Sequence, residues 1–173
     1  SYELEGDRRA AVLIFDQAFS ADPTGRWSAA TLMSSLRIHW QQGNIEAALD
    51  RFQQLGTRSG WRRGHARAAL FLAASDLVSG ETRRAGAWLT QAARATRTET
   101  PEIAYWRGRL AELEGKATTA VEHYVSALAQ DPYHPLSEAA RIRLDQPELA
   151  AARRSRGVRL AAVDRTRELY EAW

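Results

Sequence analysis

The chain has 173 residues, a formal charge of +3 and no cysteine, so disulfides, thiolate metal sites, iron–sulfur clusters and cysteine nucleophiles are excluded together. Ala (32) and Arg (23) dominate while Ile (5) and Val (6) are scarce, a balance of helix formers that argues against a sheet. Hydrophobic residues at 45% and charged ones at 26% exclude disorder and collagen-like structure, and no apolar run, 10–15 and 68–74 included, is long enough to span a membrane.

In chain order the pattern predicts helices near 5–20, 27–42, 44–56, 62–79, 81–96, 101–114, 116–130, 135–144 and 147–172. The last is expected to break near Ser155-Arg156-Gly157. Gly60 and Gly64 flank Trp61-Arg62-Arg63, a helix start and not a phosphate loop. Thr100-Pro101-Glu102 is a second helix start, with Pro in the first turn.

Self-comparison finds four glycine-centred corners at Gly6, Gly43, Gly80 and Gly115, spaced 37, 37 and 35 residues apart. Five residues after each comes Ala11, Ala48, Ala85 or Ala120. Nine residues after comes Phe15, Phe52, Leu89 or Tyr124, and twelve after comes Ala18, Leu55, Ala92 or Ala127. Two copies close on Asp22-Pro23 and Asp131-Pro132. A left-handed glycine ends one helix and the polar residue after it can cap the next. The small fifth residue allows a close crossing, which the large ninth residue fills. A single hairpin of this kind cannot bury its apolar face alone, so copies stack and share a core.

This pattern resembles the tetratricopeptide repeat (TPR). The match is best over Gly115 to Pro132, nearly as good over Gly6 to Pro23, and weaker in the first helices, where the small residue seven before the corner is Gly108 and Ala73 but Leu36 in the second copy. The resemblance implies an all-α right-handed solenoid of about three and a half degenerate hairpins without a sheet, residues 1–144, followed by a helical extension of the same domain, 145–173. The register opens at the tail of one repeat's first helix and closes inside a helical region, so both ends are expected to be cut.

Ile103-Ala104-Tyr105-Trp106-Arg107-Gly108-Arg109, followed by Tyr133-His134-Pro135-Leu136-Ser137-Glu138, is also similar to the α-superhelical region of soluble lytic transglycosylases. That similarity, over residues 101–144, implies a scaffold segment of a periplasmic cell-wall enzyme whose catalytic domain lies outside the chain. Nothing else in the sequence places the protein in a compartment.

No catalytic residue is expected here. The Glu-Ser and Gly-Leu-Met-Gln segments of a transglycosylase centre are missing, and Glu112 and Glu114, two apart on a helix, point to different sides. His39, His65, His123 and His134 lack metal-ligand spacing, and no metal or cofactor is expected. Between Arg141 and Trp173 eight Arg face five acids, most at helical spacing, which reads as a salt-bridged surface and not a nucleic-acid site. Leu149, Ala150, Leu160 and Leu169 are expected to be exposed there, ready to dock on a neighbouring helix.

The TPR resemblance implies a concave groove lined by the first helices, which by register carries Arg37, Trp40, Arg67, Tyr105, Arg109 and Glu112. Arg mixed with Trp and Tyr suits an extended polypeptide or a glycan strand. The expected function is a non-catalytic scaffold recognising a protein or peptide. The alternative is the transglycosylase scaffold, with peptidoglycan as ligand. On either reading the chain itself is expected not to be an enzyme.

Overall fold

The computed structural model describes residues 2–156; the expected helices beyond Arg156, with Leu160 and Leu169, lie outside them. Among the described residues the fold is all-α: α1 (Tyr2–Ala21), α2 (Ser28–Gln41), α3 (Ile45–Gly56), a 3₁₀ turn (Ser59–Trp61), α4 (Arg62–Val78), α5 (Thr82–Thr96), α6 (Pro101–Leu113), α7 (Ala117–Gln130), α8 (Pro135–Leu144) and α9 (Pro147–Ser155), with no strand. The boundaries fall within a few residues of those expected. The chain divides into two compact units, residues 1–71 and 72–173.

Three of the four glycine corners form as the spacing requires. Gly43, Gly80 and Gly115 have φ of 76°, 77° and 72°, a region L side chains rarely enter. Each corner repeats one hydrogen-bond scheme: Asn44, Glu81 and Lys116 donate their backbone N–H to the carbonyls of His39, Asp76 and Ala111 at 2.9, 2.8 and 2.8 Å. This six-to-one bond closes the first helix, and the same residue's carbonyl opens the next. Those three residues begin their helices without a side-chain cap, contrary to expectation, because the corner's backbone bonds already organise the turn.

Gly6 is different. It lies inside α1, which runs unbroken from Tyr2, so no corner forms there. A helix tolerates one glycine at a penalty of about 1 kcal/mol, and the Tyr2-Glu3-Leu4-Glu5 stretch continues it. The register also weakens in this copy. Ala48, Ala85 and Ala120 are fully buried, as are Leu55, Ala92 and Ala127, with Phe52, Leu89 and Tyr124 at 7%, 1% and 0%. By contrast Ala11 and Phe15 are half-buried and Ala18 is exposed. The second helix α7 is covered by α6, α8 and α9, whereas α1 packs against α2.

In the first unit α2 packs between α1 and α3, and Leu32 and Leu36 of α2 and Phe52 and Leu55 of α3 are buried. In the second, α6 and α7 form the tightest pair, flanked by α5, α8 and α9. Its core is Ala104, Ala111, Val121, Tyr124, Leu128, Leu144 and Leu149 with neighbouring alanines. Leu149 is only 2% exposed, which corrects its expected surface position; α9 turns it onto α7. In two loops that leave a second helix a serine hydroxyl bonds back to a backbone carbonyl, though not to equivalent ones. Ser28 donates its hydroxyl to the Asp22 carbonyl at 2.6 Å, and Ser137, five residues after Pro132 as Ser28 is after Pro23, donates to the Ala127 carbonyl at 3.0 Å.

Candidate functional site

Three of the six expected groove residues lie in each unit. In the first, α2 places Arg37 and Trp40 three residues apart, neighbours on one helix face. Arg37 is exposed, with its guanidinium carbon 5.5 Å from the centre of the Phe71 ring, and Trp40 is half-buried. Arg67, also exposed, precedes Phe71 by four residues on α4, so the Phe71 ring lies beside both arginines.

Behind that face Arg51 grips Asp16 through Nε (3.2 Å) and Nη2 (3.0 Å), and Ser35 donates to the same carboxylate at 2.9 Å. Burial pushes the Asp16 carboxyl up, but the bonds from Arg51 and Ser35 outweigh it and hold it below its ordinary value. This network ties α1, α2 and α3 together.

In the second unit Tyr105 packs on the rings of Trp106 and Tyr124, 5.1 and 5.9 Å between centres, so its ring belongs partly to the core. Arg109 and Glu112, one turn apart on α6, are ion-paired. Arg143 of α8 reaches the same carboxylate with Nε at 3.1 Å and Nη2 at 2.9 Å. Burial works against the charged Arg143, but Glu112's bonds and charge prevail and raise its pKa. The Tyr124 hydroxyl is buried near this carboxylate without a hydrogen-bond partner; burial first and the Glu112 charge second push its pKa up. Arg109, Glu112 and Arg143 line a cleft of about 380 Å³ with Leu113, Glu148 and Leu149.

Arg143 escaped the sequence reading because it sits 31 residues from Glu112 and nothing local marks the pair. Of the described arginines after Arg141, Arg143 pairs with Glu112, Arg153 with Asp145 and Arg156 with Glu122, all with partners eight or more residues away and not at the expected helical spacing, while Arg154 is exposed. Among the described residues no group of three or more His, Asp or Glu is placed to hold a metal ion, and no helix is long and apolar enough to cross a membrane.

No protein-family model matches the chain, and no solved structure matches it. A relative is found among characterised sequences. The Pseudomonas putida protein named "Probable biofilm formation methyltransferase WspC" is 36% identical over 90 residues, covering 47% of this chain and 21% of the relative. The chain thus spans about a fifth of that protein's length. This similarity corrects the expectation that the chain is not an enzyme, since the relative carries an enzyme's name and shares about half of the chain with it.

Proposed function

We propose that the chain is a TPR-like helical-repeat segment of a methyltransferase-related enzyme, and that it recognises a protein or peptide partner through the faces of its first helices. The observation that carries this reading is the repeat itself. Three corners share one hydrogen-bond scheme, and their second helices bury the same register positions. That leaves equivalent faces of the first helices to present Arg37, Trp40 and Arg67 in one unit and Arg109 and Glu112 in the other. Arginine forks and indole area are what polypeptide recognition uses. The methyltransferase link rests on the relative's name and its partial overlap.

The test is to pan a displayed library of 12-residue peptides against the immobilised full chain and measure enriched peptides by calorimetry. Saturable binding at micromolar concentration supports the reading, and a library that yields no binder overturns it. Peptidoglycan fragments form the second arm, because residues 101–144 resemble the transglycosylase superhelix; fragments that bind where peptides do not would favour the cell-wall scaffold.

A further inference from the structure

Between Asp50 and Asp76 the sequence holds no acidic residue but five arginines: Arg51, Arg58, Arg62, Arg63 and Arg67. Arg51 is tied to Asp16 and Asp50. The other four are exposed and make no ion pair among the described residues, in contrast to Arg107, Arg143 and Arg153, each held by a carboxylate. Arg63, Arg67 and Phe71 follow one another at four-residue intervals on α4, so their side chains form one row with about 5–6 Å between successive Cβ atoms. Arg37 reaches in from α2 and sets its guanidinium over Phe71. Three like charges therefore stand along one stripe with no counter-charge paired to them among the described residues, an arrangement that repels itself until an anion arrives.

We infer that the stripe of Arg63, Arg67 and Arg37 docks an acidic polypeptide segment, its carboxylates on the guanidinium forks and an apolar residue against Leu70 and Phe71. The inference rests on the partner-binding reading above and gives that partner its chemistry. Charge complementarity is the first argument: planar guanidinium forks pair with carboxylates in two-bond geometry. The neighbouring apolar surface is the second, since Leu70 and Phe71 are half-exposed beside the charges and suit an aliphatic side chain. Nucleic acid fits less well. A base would need an open aromatic face, but the Trp61 ring in this segment is covered by Arg58 at 4.8 Å and abuts Phe19 edge-on at 6.4 Å.

The experiment titrates the full chain with a fluorescein-labelled peptide, Asp-Glu-Glu-Leu-Asp-Glu-Glu, and with its Asn/Gln counterpart, by fluorescence anisotropy. Expected are binding of the acidic peptide alone, a fall in affinity between 50 and 200 mM salt, and at least a tenfold loss in the Arg37→Gln/Arg63→Gln/Arg67→Gln variant. These side chains are exposed, and circular dichroism checks that helicity is unchanged. If the acidic peptide binds the variant as tightly as the native chain, or fails to bind while library-selected peptides do, the acidic-segment inference is overturned and partner binding stands. If neither the acidic peptide nor any library peptide binds, both fall. A single-stranded oligonucleotide of 20 thymidines that binds through these arginines more tightly than the peptide also overturns the inference.

Discussion

Gly108 of α6 lies beneath the Tyr124 ring of α7: a Cβ at position 108 would fall within 3.0 Å of three of its ring carbons. Tyr124 is fully buried, and the Tyr105 ring packs against it at 5.9 Å between centres, so the ring has nowhere to retreat. Alanine is the better helix former by about 1 kcal/mol. Overpacking a filled core costs about 1–3 kcal/mol, and here it outweighs that gain. Gly108→Ala is expected to lower the urea midpoint; an unchanged or higher midpoint would show that the α6–α7 crossing is looser than described.

Glu112 is the shared anion of two arginines and is only 10% exposed, while Arg109 and Arg143 are 29% and 34% exposed. Removing it leaves two cations facing one another. Breaking a buried pair costs about 3–5 kcal/mol, and partial exposure of the arginines reduces that to roughly 1–3 kcal/mol for Glu112→Ala. Adding Arg143→Ala should restore part of the loss. Strictly additive effects in that double-mutant cycle would deny the coupling.

His65 and His123 both have pKa values below the ordinary imidazole range. For His65 the cause is burial; for His123 it is burial first, partly opposed by the charge of Glu99. In the unfolded chain both titrate near ~6.5. Below that pH the unfolded state binds protons the folded state refuses, so stability is full above it and falls as acidity increases. The urea midpoint at pH 5.5 should lie below that at pH 7.5, and His65→Gln/His123→Gln should flatten the difference. A slope that persists unchanged in the double variant would assign it to other groups.

Small residues at repeat positions should respond by copy. Ala120→Leu, at a fully buried crossing, is expected to destabilise by about 1–3 kcal/mol. Ala18→Leu, exposed on α1 at the position that buries Ala92 and Ala127 in later copies, should stay within about 0.5 kcal/mol. Thermal unfolding of the two variants checks this; equal losses would mean that α1 is packed like the other second helices.

The helices and three of the corners are legible in the sequence because a left-handed glycine followed at fixed spacing by a small, a large and another apolar residue has a local signature. Gly6 carries the same signature and misleads, since a four-residue corner looks like a glycine that a helix merely tolerates. Leu149 misleads for another reason. Its segment reads as a basic surface, and the packing that buries it comes from α7, a helix two elements earlier in the chain. The candidate residues on α2, α4 and α6 can be placed by register alone. What they touch cannot: the Arg143 bond to Glu112 and the placing of Arg37 over Phe71 both join distant segments.

Partner recognition through the first helices is tested most directly by mapping a bound peptide onto the ¹⁵N-labelled chain by NMR. The prediction is that the acidic peptide, added to saturation, shifts the Trp40 indole N–H and the backbone amides of Arg37, Arg63, Arg67 and Phe71. Amides of the buried second-helix residues Phe52 and Leu55 should stay in place. Shifts confined to other surfaces, or none at saturating peptide, would contradict the account.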